Sequence, residues 1–299
     1  MVLKKLEDLL PYFRESQQRK VLAVAAPEDS HTALAVDRAY REGVIQPLLF
    51  GDSEKIRAAF AEAGADCSAF ETVRADTLPE AAAAAIRAVA GGRADFLMKG
   101  AIETKDLLRA VVNRDAGMRT GRIMSKFDFI ENPGYHKLIA LSDSAMNPKP
   151  DLEMKKQILE NALDVLHSMG IAKPKVAVLA AAETLNPKLQ ESVDADELKK
   201  MYLDGVFSDC YVEGPISIDL AMDPESVRIK HYDSPVGGDA DLLICPDLVS
   251  GNLMGKGMLL TGAKAAGIIV GAKKPIVLMS RAASVEDKLY SIILGAIAA

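Results

Sequence analysis

The sequence predicts an α/β protein of two lobes, each built on a mostly parallel sheet covered by helices. Short apolar runs rich in Val, Ile, Leu and Ala alternate with longer amphipathic segments along the whole chain. This strand–helix order favours parallel strands, because each crossover helix returns the chain to the same end of the sheet. The 299 residues, 49% of them hydrophobic, are enough for two such units, and a polar, Pro-rich segment at 142–150 separates two series of elements.

The elements of the first series follow from where the apolar runs begin and stop. The strands predicted there are 20–26, 46–50 and 95–98, and the helices are 30–42, 55–63 and 78–90. Ser30 is a candidate N-cap for the first of these helices, and Gly64 and the Gly91-Gly92 pair end the other two. The stretches 117–130 and 136–141 predict two further strands joined by a turn at 131–134, which we expect to be antiparallel at the lobe junction.

The second series predicts a longer set of alternating elements. Its strands are 175–181, 210–212, 241–245, 267–271 and 275–279, and its helices are 151–169, 194–204, 251–266 and 285–298. We expect the last helix to return to the first lobe. The predicted division is therefore 1–141 plus 285–299 for the first lobe and 142–284 for the second, with an active-site cleft between them.

Composition and charge exclude several classes of function. The net charge of −6 comes without a long block of like charge, which argues against a nucleic-acid or other polyanion binder. The three cysteines form no C-x-x-C pair and the four histidines show no metal-ligand spacing, so we expect buried thiols and no metal site. The N-terminus has no apolar signal core and the chain no long uncharged apolar stretch, so we expect a cytoplasmic protein without a membrane span.

The common nucleotide and hydrolase motifs are absent from the sequence. There is no Walker A motif, no G-x-G-x-x-G after the first strand and no G-x-S-x-G elbow. Neither ATP nor a Rossmann-type dinucleotide is therefore supported, and an α/β-hydrolase triad is not supported either.

The strongest functional signal lies near the end of the chain. An apolar run stops at Ser280-Arg281, and Asp287 follows seven residues after the serine. Ser284 and Asp287 have the spacing of a capping box, so a hydroxyl, a guanidinium and a carboxylate come together between a strand and a helix N-terminus. In open α/β sheets this edge binds ligands, and a helix N-terminus favours anions. The alternative is a plain helix cap after a strand.

Five other loops follow predicted strands and hold polar residues. Their candidate substrate-binding residues are Lys99, Thr104, Arg109, Asp143, Asn147, Glu183, Asn186, Gly214, Pro215, Asp247, Gly251 and Asn252. Each loop also has an ordinary structural interpretation: a solvated helix face, a helix cap or a turn, with Gly214-Pro215 predicting a turn first.

Taken together and in order, these segments resemble the phosphate acetyl/butyryltransferase family. The segments that carry the resemblance are 98–100, 104–109, 142–148, 178–187, 213–215, 234–241, 246–252, and Ser280-Arg281 with Asp287. The compact length of the chain and the segments Met98-Lys99-Gly100 and Leu108-Arg109-Ala110 are similar to the butyryltransferase branch.

The resemblance implies a three-layer α/β/α fold in each lobe, similar to isocitrate and isopropylmalate dehydrogenases. It implies the reversible reaction of acyl-CoA with phosphate to acyl phosphate and CoA, with CoA as a substrate, no tightly bound cofactor, and a homodimer or higher homo-oligomer. In this reaction Asp287 would take the proton of the CoA thiol, Ser280 would donate a hydrogen bond, and Arg281 and Arg109 would hold phosphate. Arg119 and Arg122 are alternative matches for a phosphate-binding arginine.

Several other functions stay open at the level of sequence. One is the acetyl rather than the butyryl reaction. Another is an NAD(P)-dependent hydroxy-acid dehydrogenase of the same fold, which needs an aspartate cluster for a metal; Asp239, Asp241 and Asp247 resemble one, but Asp241 begins a predicted strand and is expected to face elsewhere. The others are an acyl-phosphate sensor without catalysis and an acyltransferase that uses an acyl carrier protein. The chain length of the acyl group cannot be deduced from the sequence.

Overall fold

The structure is a computed structural model that describes residues 3–16, 18–279 and 283–299, so the predicted catalytic residues Ser280 and Arg281 lie outside the described residues. The strands are β1 Lys20–Ala25, β2 Ile45–Gly51, β3 Glu71–Arg74, β4 Phe96–Lys99, β5 Ser125–Glu131, β6 Ile139–Ser142, β7 Lys175–Leu179, β8 Tyr211–Ile216, β9 Leu242–Ile244, β10 Lys264–Val270 and β11 Ile276–Val277. The helices are α1 Leu9–Ser16, α2 Ser30–Arg41, α3 Ser53–Glu62, α4 Leu78–Ala90, α5 Thr104–Val112, α6 Leu152–Ser168, α7 Gln190–Leu203, α8 Ile218–Met222, α9 Pro224–Lys230, α10 Leu248–Leu260 and α11 Val285–Ile297.

The chain divides into two compact units, and each is built from two separate stretches of sequence. Lobe I comprises Glu7–Arg122 and Ala266–Ala299, and lobe II comprises Met1–Leu6 and Ile123–Ala265. These bounds differ from the predicted division at 141/142 and 284/285. The reason is β11, which pairs in parallel with β4, so the chain has already rejoined lobe I before the terminal helix begins.

Lobe I is built on a sheet with the strand order β3-β2-β1-β4-β11-β10. All neighbours are parallel except β10, which runs antiparallel to β11. Ala25 lies opposite Lys99, and Met98 lies opposite Val277. The carboxyl ends of β1, β4 and β11 therefore meet at one edge of this sheet.

Helices pack on the lobe I sheet in two groups. The helix α11 contacts α1, α2, β4 and β11, whereas α4 contacts β1, β2 and α5. Gly295 shows how closely α11 approaches, because a Cβ at this position would lie 2.9 Å from atoms of both Phe96 and Val277. A larger residue there would push the helix off the sheet.

Lobe II has the strand order β5-β6-β9-β7-β8. β5 and β6 are antiparallel, and β6, β9, β7 and β8 are parallel. The prediction of an antiparallel portion is therefore confirmed, but β5 begins at Ser125 rather than at residue 117. Gly117 and Gly121 explain the later start, because their φ angles of 71° and 93° are incompatible with a strand.

Other differences from the predicted elements include both ends of α10 and the extent of β8. α10 begins at Leu248, three residues earlier than predicted, because Asp247 and not a later residue caps it. It ends at Leu260, since Gly262 has φ 101°, and the chain then forms β10 where a helix to 266 was predicted. Gly214-Pro215, predicted as a turn, lies inside β8. β8 is the last strand in the lobe II order, where the missing N–H of a proline disturbs the ladder least.

The predicted fold class, α/β with mostly parallel strands and an antiparallel portion, is confirmed. The sequence did not predict β3, α1, α8 or α9, which are short elements. In the described parts of the chain, no helix is both long enough and apolar enough to cross a bilayer.

Candidate active site

The lobe I edge is shaped first by Lys99 and Gly100 at the end of β4. A Cβ on Gly100 would lie 2.0 Å from the backbone oxygen of Ala26, so only glycine permits this approach to the end of β1. The Lys99 side chain is 7% exposed, and its Nζ donates to the backbone oxygens of Gly100 and Ile102, both at 3.1 Å. A buried ammonium therefore organises this loop from within.

Thr104 and Arg109 follow on α5 and differ from Lys99 in exposure. Thr104 is the first residue of the helix and is exposed. The Arg109 side chain is 68% exposed and lies 3.6 Å from Asp106. An exposed ion pair of this kind is worth about 0–1 kcal/mol, so an incoming dianion can compete for the guanidinium.

Asp287 lies in the first turn of α11, where the sequence placed it. Its Oδ2 accepts hydrogen bonds from the Ser284 hydroxyl at 2.8 Å and from the Ser284 N–H at 3.3 Å, while Ser284 Oγ accepts from the Asp287 N–H at 3.1 Å. The predicted capping box is thus formed. It fixes the rotamer of the carboxylate at a positively polarised helix end, which follows β11 at the carboxyl edge of the lobe I sheet.

In lobe II, Asp143 organises the loop that follows β6. Its Oδ1 accepts from the backbone N–H groups of Lys126, Ala145 and Met146 at 3.0–3.1 Å. Its Oδ2 accepts from the N–H of Asn147 at 2.9 Å and from the Asn147 side-chain amide at 2.6 Å. The residue is 3% exposed, and the hydrogen-bonding capacity of its carboxylate is filled by these donors. Asp143 therefore fixes the conformation of this loop, of which Asn147 is a part.

The first turn of α10 lies against the Asp143 loop. Asp247 caps the helix, and its pKa is lowered mainly by the hydrogen bond from the Ser250 N–H. The Asn252 side-chain amide donates to the backbone oxygen of Ser144 at 3.1 Å. Gly251 is buried, and a Cβ there would lie 2.6 Å from the backbone oxygen of Asp143 and 3.0 Å from Cys245 Sγ. The structure brings these two loops, which are far apart in the sequence, together because β6 and β9 are neighbours.

This close approach gives a testable prediction with a control in the same helix. Gly251→Ala should destabilise lobe II by about 1–3 kcal/mol, because the added methyl overlaps a backbone oxygen that cannot rotate away. Gly257→Ala meets nothing within 4 Å and should stabilise α10 by about 0.5–1 kcal/mol through helix propensity. Urea midpoints of the two variants measure both effects; equal shifts of the same sign would contradict the proposed contact.

The side chains of Glu183 and Asn186, which follow β7, bond to neighbouring residues of lobe II. Glu183 pairs with Lys230, which also lies 2.7 Å from Asp219 and lowers the pKa of that carboxyl to about 2. The Asn186 N–H donates to Ser192 Oγ and its Oδ1 accepts from the Lys188 N–H, so it forms a turn ahead of α7. The turn interpretation thus accounts for the contacts of Asn186, whereas Glu183 takes part in an ion pair that the sequence did not predict.

Gly214 and Pro215 serve the packing of β8. A Cβ on Gly214 would lie 2.9 Å from Val178 Cβ and 3.2 Å from Ala195 Cβ. The glycine therefore lets β8 approach both β7 and α7.

The three aspartates that a dehydrogenase would use do not come together. Asp241 precedes β9 and its Oδ1 lies 2.6 Å from Lys137, whereas Asp247 follows the same strand and caps α10. Asp239 pairs with Lys137, Lys175 and His136 near the start of β9; burial alone would raise its pKa, but these partners lower it. Among the described residues, no group of three or more His, Cys, Asp or Glu side chains is arranged to hold a metal.

One set of polar residues at the Asp143 loop was not among the predicted site residues: Lys126 and Asp128 on β5, and Ser144. Asp128 is 7% exposed and accepts from Ser144 Oγ at 2.6 Å, and Lys126 Nζ lies 2.7 Å from its other oxygen. The available signal was two charged residues at period two, separated by Phe127, inside a strand.

Comparison with known proteins places this arrangement in a family. Residues 76–296 match the family described as phosphate acetyl/butaryl transferase. The chain is 36% identical over 299 residues to the phosphate butyryltransferase of Clostridium acetobutylicum, a match that covers 100% of this chain and 99% of the relative. It is 40% identical over 280 residues to the phosphate acetyltransferase of Thermotoga maritima, covering 93% of this chain and 95% of the relative.

A solved structure agrees with these relatives. The branched-chain phosphotransacylase of Enterococcus faecalis V583 superposes with a TM-score of 0.81 at 32% identity, covering 93% of this chain and 99% of that one. The family and the acyltransferase class inferred from the sequence are therefore confirmed. The chain belongs to the phosphate acetyl/butyryl transferase family.

Proposed function

We propose that this acyltransferase catalyses the reversible reaction of a short-chain acyl-CoA with phosphate to give acyl phosphate and free CoA, by direct transfer. The observation that carries the proposal is the position of Asp287. Its carboxylate is held in the first turn of α11, which follows β11 at the edge where the parallel strands of lobe I end.

The thiol of CoA needs a proton acceptor in the direction of acyl-CoA synthesis. A free thiol has a pKa of about 8.5, and only the thiolate attacks a carbonyl efficiently. Asp287 is the general base that we assign to this proton; general-base assistance is typically worth about 10²–10⁴-fold in rate. As sulfur bonds to the carbonyl carbon, the carbon–oxygen bond to phosphate breaks and its electron pair stays on the phosphate oxygen. The proton taken from the thiol passes to the departing phosphate, which leaves as the dianion.

Arg281 and Arg109 are the groups that we assign to the phosphate. A guanidinium binds two oxygens of a phosphate at once, and it stays charged at every physiological pH. Ser280 would donate a hydrogen bond to the carbonyl oxygen as negative charge develops there. Lys99 and Thr104 shape the same edge, Lys99 through the loop that it holds from within.

The residues of lobe II are assigned to substrate binding rather than to proton transfer. Asp143, Asn147, Asp247, Gly251 and Asn252 belong to one loop and one helix end in contact, in which Asp143 has no capacity left for another donor. We propose that this group presents a rigid loop and helix end to the substrate. Glu183, Asn186, Gly214 and Pro215 contribute the neighbouring backbone.

Direct transfer is favoured over an acyl-cysteine intermediate by the state of the thiols. All three cysteines are buried. Burial raises the pKa of Cys67, raises that of Cys210 to about 11, and raises that of Cys245 far above the ordinary range. A thiol that stays protonated is a poor nucleophile. Positioning of two bound substrates supplies much of the rate without a covalent step.

The acyl group that we propose first is butyryl, with acetyl as the second candidate. The relatives include both a butyryl- and an acetyltransferase, at 36% and 40% identity. One methylene changes specificity by only about 1–3 kcal/mol, so a few side chains decide between them.

Thiol release from acetyl-, propionyl-, butyryl- and isobutyryl-CoA, with and without phosphate, tests the function and the preference together. We expect phosphate-dependent release with the largest kcat/KM for butyryl-CoA. Release that does not depend on phosphate would reject the proposed reaction, and a preference for acetyl-CoA would reject only the choice of acyl group.

The proposal also covers partners and location. The chemistry needs acyl-CoA and phosphate but no tightly held cofactor, nucleic acid or membrane, and three buried thiols suit the reducing cytoplasm.

The oligomer that we propose is a homodimer or larger homo-oligomer. α10 exposes Val249, Leu253 and Leu260 by 60%, 67% and 88%, an apolar face that a second copy can cover. Light scattering of the purified chain measures its mass; a monomer at micromolar concentration would count against this.

A further inference from the structure

We infer that Asp128 is a positioning residue, which acts through Ser144 to hold the Asp143 loop and the first turn of α10 in one geometry. The inference rests on the proposed function, because it assigns these two segments to substrate binding. Asp128 itself lies on β5 and is assigned no contact with substrate.

The Asp128 carboxylate lies in an unusual environment for a charged group on a strand. It is 7% exposed, accepts from Ser144 Oγ at 2.6 Å and pairs with Lys126 Nζ at 2.7 Å. A buried ion pair gives little net stability, because desolvation offsets the attraction, and an apolar pair of the same volume often serves the fold better. The pairing of β5 with β6 through Asp128 and Leu141 requires no charge at this position.

Hydrogen bonds connect β5 to three consecutive residues of the loop. The Ser142 hydroxyl donates to the backbone oxygen of Lys126 at 2.8 Å. The Lys126 N–H donates to Asp143 Oδ1 at 3.0 Å, and Ser144 donates to Asp128. Residues 142, 143 and 144 are thus each tied to this strand by a side chain of their own.

The loop is in turn connected to α10 by a hydrogen bond and a close packing contact. The backbone oxygen of Ser144 accepts from the Asn252 amide at 3.1 Å, and the backbone oxygen of Asp143 lies against Gly251. Asp128, Ser144 and Asn252 therefore form a continuous path from the interior strand to the helix end. Releasing Ser144 from Asp128 would let the loop and the helix end move relative to each other.

The test replaces Ser144 by two residues of the same shape. Threonine keeps the hydroxyl and valine lacks it, so the Ser144→Thr and Ser144→Val variants differ only in the bond to Asp128. We expect kcat/KM for acyl-CoA with phosphate to fall about tenfold to hundredfold in Ser144→Val, as displaced binding groups do, and to fall less than about threefold in Ser144→Thr. Equal kcat/KM values for the two variants would overturn the inference.

A second pair of variants separates positioning from simple stability. Asp128→Ala and Asp241→Ala each remove one carboxylate that pairs with a lysine of lobe II, but Asp241 lies at the start of β9, before the strand and away from the loop. We expect both to lower Tm, and only Asp128→Ala to lower kcat/KM and to speed hydrogen exchange at the N–H groups of Ala145, Met146 and Asn147. If Asp241→Ala lowers kcat/KM as much, the effect is structural and the inference is wrong. This pair decides the question if neither Ser144 variant folds.

Hydrogen exchange keeps the inference distinct from the proposed function. Those N–H groups donate to Asp143, so their exchange reports the loop whether or not the chain turns over an acyl-CoA. A wild-type chain without phosphate-dependent turnover would reject the function. Unchanged exchange in both Asp128→Ala and Ser144→Val would reject the positioning role.

Discussion

Replacing Arg281 by alanine should lower kcat/KM for acyl-CoA and phosphate by about 10²–10³-fold, the loss expected when a charged donor to the transition state is removed. The reason is the dianion: without the guanidinium, nothing planar and permanently charged at this position spans two phosphate oxygens. Steady-state kinetics at saturating and limiting phosphate measure the loss. Near-normal turnover would remove the central assignment of the proposed mechanism.

Two controls sharpen the Arg281 experiment. Arg281→Lys keeps the charge but loses the fork, so its kcat/KM should lie between those of the wild type and Arg281→Ala. The rise in Tm on adding CoA should persist in Arg281→Ala, because a ligand that binds only the folded chain stabilises it and CoA binding is assigned mainly to other residues. Loss of that rise would mean that the substitution had damaged more than phosphate binding.

Asp287→Asn should reduce the rate of acyl-CoA synthesis by about 10²–10⁴-fold at neutral pH, where the CoA thiol still carries its proton. The deficit should shrink as the pH rises through about 8.5, because the thiolate then forms without a base. A pH–rate profile of the variant against the wild type measures this. A deficit that stays constant from neutral pH to well above the thiol pKa would reject Asp287 as the base.

Ser284→Ala is the matched control for Asp287→Asn. The Asp287 carboxylate also serves the capping box with Ser284, so a substitution there weakens the helix as well as the chemistry. Ser284→Ala removes the hydroxyl from the cap, at about 0.5–2 kcal/mol of stability. It keeps the Asp287 carboxylate, which still accepts a hydrogen bond from the backbone N–H of residue 284. Its Tm should fall while its pH profile keeps the wild-type shape.

The regular elements were predictable because their signals are local. The helix α4 was predicted residue for residue, since Thr77 caps it and Gly91 follows it. The start of α10 was not, because its cap, Asp247, comes immediately after an apolar strand and the helix is apolar nearly all round. Its end was missed because the chain passes from helix to strand within a few residues, between 260 and 264.

The candidate site shows the same division. The capping box of Ser284 and Asp287 could be predicted, because it depends on a local spacing within one helix turn. That Asp143 is saturated by its own loop could not, because the donors come from Lys126 on another strand as well as from residues 145–147.

The sequence alone determined the fold class and the family and supplied the candidates for the reacting groups, because strand and helix periodicity, caps and ordered motifs are written along the chain. The tertiary structure alone decided which of these polar residues support the others. Asp128 and Ser144 are 16 residues apart and touch only because β5 and β6 run antiparallel. Such a hydrogen bond depends on how two strands and the turn between them pair in register, so the local sequence around either residue does not reveal its partner.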